Sequence, residues 1–367
     1  MDLHMLLGVI LLFPLVTTTA NSSQLALPGC RDRCGDLKIP YPFGIGENCY
    51  LEESFNVTCD DSASPSMAFL GISNLNITKI SLDNGELEVL QSVAKDCNDG
   101  QGNNNVAADF WLSDFTISAT KNKFTAIGCD TYAILEGYRD GQSYTTGCMS
   151  LCDRKEDVNF GACSGAGCCQ ITSIPRGLRN ITVSLSSYYN HSKVRSFSPC
   201  SYAVLAEERK FKFSETSFEH FENIKEFPMV LDWAIWNLSC EQARRRGNLA
   251  CAQNSKCVNS NSSSSYLCRC LPGYDGNPYH PDGCQDIDDC IKSNPCINGI
   301  CKNIPGGFKC SCRKGGGWAK RDGNGRGRGI MVNDVEEGSK WIGAEVDMLT
   351  SGISDDKILC ICAIYAI

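Results

Sequence analysis

The sequence has few histidines and lacks the best-known motifs of hydrolytic enzymes. Only four histidines occur among 367 residues, and they are His4, His191, His220 and His280. Neither the His-Glu-x-x-His motif of zinc proteases nor the Gly-x-Ser-x-Gly motif of serine hydrolases is present. A pair of catalytic carboxylates has no such signature, because acids are plentiful here and their separation cannot be read from the sequence. We therefore expect a protein without catalytic activity.

No long hydrophobic run follows the N-terminal region. A membrane-spanning helix needs roughly 20 apolar residues, and the apolar stretch at residues 358–367 is too short. Residues 5–16 are also apolar and short, and the small residues after them end at Ala20, which is typical of a secretory signal. The sequence predicts a signal peptide over residues 1–20, with a buried N-terminal helix as the alternative, and a secreted chain without a membrane span.

An excess of basic charge is lacking as well. The formal net charge is −8 at pH 7, so we expect no nucleic-acid partner. One basic stretch, residues 313–329, contains Lys320, Arg326 and Arg328. Its composition favours a solvated tail over a binding site for an anionic polymer.

Cysteine, in contrast, is abundant. The 25 cysteines far exceed ordinary usage and indicate disulfides formed in an oxidising compartment. Twelve lie between residues 30 and 200, six between 240 and 284, five between 290 and 312, and the last two are Cys360 and Cys362. The first two groups are even and can close on themselves, whereas the third is odd. This division predicts separate modules, and the odd total predicts a free or intermolecular thiol.

Seven Asn-x-Ser/Thr sequons also favour an extracellular protein with a glycosylated surface. They begin at Asn21, Asn56, Asn76, Asn180, Asn190, Asn237 and Asn261.

The six cysteines from Cys240 to Cys284 have the arrangement of an EGF module. A Cys-x-Cys sequence at Cys268 and Cys270 is followed by a Gly-Tyr turn. Spacing alone leaves many pairings open, and a zinc site is disfavoured because histidines at ligand spacing are missing. The resemblance to EGF modules over residues 240–284 implies first-to-third, second-to-fourth and fifth-to-sixth pairing. The implied bridges are Cys240–Cys257, Cys251–Cys268 and Cys270–Cys284.

Residues 286–325 resemble a calcium-binding EGF module. The motif Asp-Ile-Asp-Asp-Cys begins at Asp286, and Cys-Lys-Asn and Cys-Ser-Cys sequences follow. Calcium takes about six to eight oxygen ligands. The resemblance implies carboxylates from Asp286 and Asp289, an amide oxygen from Asn303, and main-chain carbonyls from Ile287 and Ile304. The alternative is an acidic linker on an EGF module that binds no metal.

This second EGF-like module is incomplete. Its fifth cysteine is Cys312, and no sixth cysteine follows before Cys360. The residues beyond it have few aromatics and no hydrophobic periodicity, so we expect residues 326–367 to form a divergent or disordered tail.

Three further motifs occur in order within the first 200 residues. They are CGDLKIPYPFGIGENCY from residue 34, NKFTAIGCDTYA from residue 122 and GACSGAGCCQITSIPRGL from residue 161. Together they resemble the extracellular region of plant wall-associated receptor kinases. The resemblance implies a galacturonan-binding cysteine-rich domain over residues 28–145 and a cysteine-rich segment of that family over residues 146–235, with the EGF-like modules after them. The predicted fold is mainly β, disulfide-rich and multi-modular.

Alternating apolar residues support the β-rich prediction. Residues 77–90 predict a hairpin about an Asp-Asn-Gly turn, and residues 115–126 predict a second hairpin with its turn at residues 121–123. Residues 180–189 predict a further strand, and residues 202–213 are the best helix candidate. The adjacent Cys168 and Cys169 cannot easily bridge each other, so each is expected to fasten a different strand.

The stretch from Ile39 to Gly44, here called the proline ribbon, is extended by its two prolines. It is either an edge strand of the core or a sugar-contact surface with Tyr41 and Phe43 as platforms. A polyanionic pectin is not attracted by an acidic chain overall, so binding requires local basic groups or bridging calcium. The predicted polysaccharide contacts are Arg31, Arg33, Lys38 and Tyr41.

The predicted function is non-catalytic binding of pectin or another cell-wall polysaccharide by a secreted, receptor-like protein of the wall, with calcium as the cofactor. Full-length members of the resembled family are expected to be anchored in the plasma membrane and to carry a kinase, whose motifs are absent here. One alternative is a truncated product of such a receptor kinase without an independent role. Another is an EGF-mediated module that binds cell-surface receptor proteins.

Overall fold

The computed structural model describes residues 25–311, except for residues 72, 74, 99–102, 113, 237, 261–263, 294 and 298. After residue 311 it describes only the backbone of several strands. The predicted signal peptide lies outside the described residues. Strands dominate the described chain, so the mainly β prediction is confirmed. The helical elements are short: 3-10 turns at Glu53–Phe55 and Lys155–Asp157, and α-helices at Ser217–Asn223, Cys240–Arg246 and Asp289–Lys292.

A β domain ending near residue 236 contains three main sheets and one small strand pair. The pair is Arg33–Cys34 with Leu37–Lys38. The six-stranded sheet has the order Thr116–Ile117, Glu226–Asp232, Glu86–Ser92, Asn76–Ser81, Met67–Leu70, Val57–Asp60. The five-stranded sheet has the order Cys168–Ile171, Asn122–Ile127, Cys200–Glu207, Ala94–Asn98, Asn103–Val106. The four-stranded sheet has the order Gln142–Ser150, Thr131–Arg139, Arg179–Ser186, Ala108–Phe110.

These sheets share one continuous hydrophobic core. Leu87 of the six-stranded sheet, Phe124 of the five-stranded sheet and Leu135 of the four-stranded sheet all belong to it and are fully buried. Gln91 joins two sheets, because its side chain donates to the carbonyl of Leu205 at 2.6 Å and accepts from the N–H of Leu205 at 3.0 Å. Paired polar groups of this kind fix the sheets relative to each other without an unsatisfied buried donor.

The boundary that we predicted between residues 145 and 146 falls inside the strand Gln142–Ser150. Strands from both sides of it pair directly, as Glu226–Asp232 does with Glu86–Ser92 over its whole length. The two predicted stretches therefore form a single folded unit.

Two local predictions were wrong. Residues 202–213 do not form a helix, because Cys200–Glu207 is a central strand with buried side chains in succession. Residues 115–126 do not form a hairpin, because Asn122 begins a strand and is buried. Its side-chain amide donates to the carbonyl of Val230 at 2.6 Å and accepts from the N–H of Val230 at 2.8 Å. In both cases contacts with distant strands override the local pattern.

Other local predictions are confirmed. The strands Asn76–Ser81 and Glu86–Ser92 form the hairpin about the Asp-Asn-Gly turn, with Ser81 opposite Glu86. Arg179–Ser186 is a strand with alternating burial. Cys168 bridges Cys163 and Cys169 bridges Cys148, so the adjacent cysteines fasten different segments.

The EGF modules follow in small antiparallel sheets. The first has Ile235–Trp236, Ser265–Cys270 and Ser255–Asn259 in one sheet and Tyr274–Gly276 with Cys284–Asp286 in another. The second has the hairpin of Ile300–Ile304 with Gly307–Ser311. Beyond it, a last sheet has the order Cys296–Ile297, Ile358–Cys362, Gly316–Arg321, Gly327–Asp334, Gly338–Ile342. Paired strands therefore occur within the segment predicted as a divergent or disordered tail.

Candidate functional site

The proline ribbon is fastened at both ends and built into the core of the β domain. The bridges Cys30–Cys49 and Cys34–Cys59 hold the flanking segments. Phe43 is fully buried, and its ring centroid lies 5.1 Å from that of Phe55 and 5.2 Å from that of Trp233, with both pairs edge to face. Phe43 is therefore a core residue, and the alternative that it is a sugar platform is wrong.

Tyr41 lies where the ribbon meets the first EGF module. Its ring is half-buried, and burial raises the pKa of its phenol. The carbonyl of Tyr41 accepts a hydrogen bond of 2.6 Å from the side-chain amide of Asn277 in the EGF module. Nearby, Nε2 of His280 lies 3.2 Å from the carbonyl of Ala26. The ribbon is thus a joint between two modules, a role that no sequence motif around Asn277 indicated.

Arg33 and Lys38 are directly opposite each other in the small strand pair. Opposite residues of an antiparallel pair project from the same face, so the two positive groups form one local basic surface. Both side chains are exposed, and neither forms a salt bridge with a described residue. Like charges held opposite each other are destabilising unless an anion offsets them. This pair is the clearest feature of the predicted polysaccharide contacts.

Arg31 is arranged differently. Its guanidinium donates two hydrogen bonds to the Asp61 carboxylate, at 2.8 and 2.9 Å. The Arg31 bonds, with a further bond from the Ser66 hydroxyl, lower the pKa of Asp61 to about 2. A bidentate pair of this type already satisfies the fork of the guanidinium. Arg31 is therefore less available to an incoming carboxylate than Arg33 or Lys38.

The predicted calcium ligands come together at the start of the second EGF module. The Asn303 amide donates to one carboxylate oxygen of Asp286 at 2.6 Å, and the N–H of Gly306 donates to the other at 2.5 Å. The N–H of Asp289 donates to Oδ1 of Asn303 at 3.2 Å. The donor set of carboxylate and amide oxygens suits a hard cation such as calcium. Within the described part of the chain, no group of three or more His, Cys, Asp or Glu side chains is arranged so that it could hold a metal ion.

The two EGF modules touch next to this cluster. A Cβ added to Gly306 would lie 2.9 Å from Cε2 of Tyr274, and one added to Gly273 would lie 2.3 Å from the carbonyl oxygen of Gly306. The N–H of Ile287 also donates to the carbonyl of Gly273 at 2.9 Å. The predicted ligands Ile287 and Ile304 thus flank a tight backbone contact between the modules that has no room for side chains at these glycines.

The described residues form eleven disulfides. The first EGF module has Cys240–Cys257, Cys251–Cys268 and Cys270–Cys284, which are the bridges that the resemblance implies. The second has Cys290–Cys301 and Cys296–Cys310. The other six lie in the β domain and are Cys30–Cys49, Cys34–Cys59, Cys97–Cys200, Cys129–Cys152, Cys148–Cys169 and Cys163–Cys168. The side chains of Cys312, Cys360 and Cys362 lie outside the described residues.

Four of the seven sequons fall within the described residues. Asn190 is exposed, whereas Asn56, Asn76 and Asn180 are half-buried at their side chains. The other three, Asn21, Asn237 and Asn261, lie outside the described residues. In the part of the chain that the structure covers, no helix has the length and hydrophobicity to cross a bilayer.

Two sequence families match parts of the chain. The family described as wall-associated receptor kinase galacturonan-binding matches residues 30–91, which include the ribbon and the Arg33–Lys38 pair. The family described as calcium-binding EGF domain matches residues 286–325. These families describe a binding domain and an EGF module, neither of which is a catalytic domain. No solved structure matches the chain.

Several curated proteins of Arabidopsis thaliana resemble the chain over most of its length. Wall-associated receptor kinase 2 is 40% identical over 293 residues, which are 78% of this chain and 38% of that protein. Wall-associated receptor kinase 5 is 37% identical over 321 residues, which are 86% of this chain and 42% of that protein. Wall-associated receptor kinase-like 6 is 30% identical over 77% of this chain and 48% of that protein. The chain spans less than half the length of these relatives.

Proposed function

Since the chain fits the extracellular region of the wall-associated receptor kinases, we propose that it binds de-esterified pectin or oligogalacturonides outside the cell, without catalysis. The observation that carries the proposal is the exposed Arg33–Lys38 pair within the stretch that matches the galacturonan-binding family. A galacturonan presents one carboxylate per sugar, and basic groups without a protein partner are suited to receive it. Tyr41 and Arg31 complete the proposed contacts in lesser roles.

Calcium is the proposed cofactor. Asp286, Asp289 and Asn303 are the side-chain ligands, with the carbonyls of Ile287 and Ile304 as the main-chain ligands. The hydrogen bonds of the Asn303 side chain with the Asp286 carboxylate and with the main-chain N–H of Asp289 support this set. When bound, the ion supplies positive charge that stiffens the junction of the EGF modules and offsets the acidity of this region. Calcium can also bridge a protein carboxylate to a pectin carboxylate, so binding is expected to have a calcium-dependent part.

The experiment is retention on immobilised polygalacturonate with calcium or with a chelator. The double variant Arg33→Gln/Lys38→Gln is compared with Lys302→Gln/Lys309→Gln, which also removes an exposed pair opposite each other in a hairpin. We expect the first variant to lose most of its retention in chelator and the second to match the unaltered chain. Equal retention of both variants contradicts the proposed contacts, and no retention of the unaltered chain contradicts the proposed ligand.

A second candidate function is protein recognition by the second EGF module. Ile291 is 85% exposed and Ile300 is 55% exposed, and exposed aliphatic groups on so small a module favour a protein partner. The partner class is a cell-surface receptor protein. The variant Ile291→Ser/Ile300→Ser should lose a cross-linked partner on intact cells while keeping retention on polygalacturonate. A cross-linking pattern identical to that of the unaltered chain contradicts this function.

A further inference from the structure

A cleft of about 580 Å³ opens where the β domain meets the first EGF module. One wall is formed by the Asp-Asn-Gly hairpin turn and the end of the strand Glu226–Asp232. A second wall is formed by the turns that carry Arg139 and Arg176. The third is formed by the EGF residues around Asn259 and Arg269. The cleft therefore exists only while the two modules are docked.

The docking that shapes the cleft is tight. On the side of the β domain, the N–H of Trp233 donates to the carbonyl of Gly85 at 2.8 Å and holds the hairpin turn in place. A Cβ added to Gly85 would lie 2.7 Å from Cδ1 of Leu267 in the EGF module and 2.9 Å from the carbonyl oxygen of Trp233. Gly85 also has a φ of 65°, which favours glycine. The β domain and the EGF module are thus in direct contact beside the cleft, where Leu267 packs against the backbone of Gly85.

Three arginines line this cleft, and they come from both modules. The side chain of Arg139 lies over Gly177, because a Cβ added there would be 3.5 Å from Cγ of Arg139, and this places it beside Arg176. Arg269 lines the cleft from the first EGF module. All three side chains are exposed. Neither Arg176 nor Arg269 forms a salt bridge with a described residue, and Arg139 makes only a 3.8 Å contact with the exposed Asp140.

Three acids also line the cleft, Glu86, Asp140 and Asp232, but none of them forms a salt bridge with Arg176 or Arg269 among the described residues. Glu86 is engaged by Lys121 at 3.3 Å. Asp140 is 91% exposed at its side chain, and ion pairs between such exposed groups are weak. Asp232 is half-buried, burial raises the pKa of its carboxyl, and the positive charge of Arg176 opposes that rise. A guanidinium without a bidentate carboxylate partner is well suited to bind a planar anion through a pair of parallel hydrogen bonds.

We propose that this cleft binds the carboxylates of an acidic oligosaccharide, with Arg176 and Arg269 as the principal contacts and Arg139 beside them. This inference rests on the proposed function and assigns it a second site, which is distinct from the Arg33–Lys38 pair and spans the joint between the modules. Thr116, Thr120 and Asn259 also line the cleft and provide polar groups for sugar hydroxyls. An occupant that contacts both walls holds the first EGF module against the β domain.

The test uses the full chain, a size-defined oligogalacturonide and calorimetry in the presence of a chelator, so that calcium bridging does not contribute. The variant Arg176→Gln/Arg269→Gln is compared with Arg244→Gln/Arg246→Gln, which removes two exposed arginines on the helix Cys240–Arg246. Hydrogen bonds between charged groups are strong enough that we expect the cleft variant to lose affinity by about tenfold or more. The helix variant should bind like the unaltered chain.

The remaining outcomes separate the two proposals. If the unaltered chain binds and the cleft variant binds equally well, the cleft is not a site and the proposed function stands. If the unaltered chain binds the oligogalacturonide neither in chelator nor in calcium, both proposals fail, whereas binding in calcium alone overturns only the cleft. A fully methyl-esterified oligomer should bind the unaltered chain more weakly than the free acid, and equal binding of the two overturns recognition of carboxylates by the arginines.

Discussion

The side-chain amide of Asn277 donates a hydrogen bond of 2.6 Å to the main-chain carbonyl of Tyr41. This bond joins residues that are 236 positions apart in the sequence and belong to different modules. It gives the proline ribbon a structural purpose, because the ribbon is packed on the core by Phe43 on one side and bound by the EGF module on the other. The ribbon is a rigid joint next to the Arg33–Lys38 pair, so module docking and the proposed sugar contacts share one element.

Replacing Asn277 with alanine should loosen this joint. The side chain is only 4% exposed, and its loss leaves the Tyr41 carbonyl without its partner. An unsatisfied buried group of this kind costs about 1–3 kcal/mol. We expect Asn277→Ala to lower the urea midpoint and to speed proteolysis between the β domain and the first EGF module. Asn248→Ala is the control, because Asn248 is exposed in the same module. Equal proteolysis rates of the two variants contradict the joint.

Phe43 should behave as a core residue when it is truncated. It is fully buried between Phe55 and Trp233, and removal of a buried phenylalanine ring costs about 3–5 kcal/mol. We expect Phe43→Ala to lower the denaturation midpoint strongly, whereas Tyr138→Ala, at a residue that is 56% exposed, should leave it nearly unchanged. A mild effect on stability with a strong loss of retention on polygalacturonate is the result that contradicts a core role.

The sequence predicted the Asp-Asn-Gly hairpin from its turn chemistry, and its resemblance to EGF modules implied the three bridges of the first such module. The Asp-Asn-Gly hairpin and the EGF bridges depend on residues that are close in the chain. The prediction of a helix at residues 202–213 failed because Cys200–Glu207 is a central strand with buried residues on both faces. Its sequence therefore lacks the alternation of apolar and polar residues that marks a half-buried strand. Hydrophobic periodicity alone does not distinguish such a strand from a segment of a buried helix, so length, flanking residues and the content of β-branched residues must decide.

The candidate site was predicted in part. Arg33 and Lys38 were identified as basic residues in an acidic stretch, but their position opposite each other depends on strand pairing. The cleft arginines were missed entirely, because Arg139, Arg176 and Arg269 belong to three separate turns and strands. A site at a joint between modules is formed by residues that are far apart in the sequence, so no motif with a fixed spacing indicates it. Likewise, the ion pair with Asp61 makes Arg31 less available than Arg33 and Lys38, and this pair becomes visible only in the folded structure.

The Arg31–Asp61 pair should be visible in acid titration. Its hydrogen bonds lower the pKa of Asp61 to about 2, below the ordinary value of about 3.9. A carboxylate with a lowered pKa in the folded state stabilises the fold above its unfolded value, and this contribution is lost as the pH falls from about 4 to about 2. Carboxyl NMR should show the Asp61 pKa rising towards its ordinary value in Arg31→Gln. Arg154→Gln, which breaks the exposed pair with Asp157, should leave Asp61 unchanged.

The same variant separates the roles of the basic residues. Because Arg31 is already engaged by Asp61, we expect Arg31→Gln to reduce retention on polygalacturonate much less than Arg33→Gln does. If Arg31→Gln loses more retention than Arg33→Gln does, Arg31 is a more important polysaccharide contact than its ion pair with Asp61 implies, and the prediction is wrong.

Calcium should stabilise the second EGF module through Asp286 and Asn303. Extracellular modules of this kind bind calcium with dissociation constants of about 10⁻⁴–10⁻³ M, so millimolar calcium is expected to protect the hairpin Ile300–Ile304 with Gly307–Ser311 from proteolysis. Asp286→Asn removes a negative ligand and should weaken this protection, and Asn303→Ala should do the same by removing the amide oxygen. Asp282→Asn is the matched control, since Asp282 is an exposed acid of the first EGF module. Protection that is the same in calcium and chelator for the unaltered chain removes calcium from the proposed function. If calcium still protects the hairpin in both ligand variants, the ion binds elsewhere. The Asn303 amide nitrogen and the Asp286 carboxylate are only 2.6 Å apart, so an ion bound at this cluster should contact at least one of the two side chains.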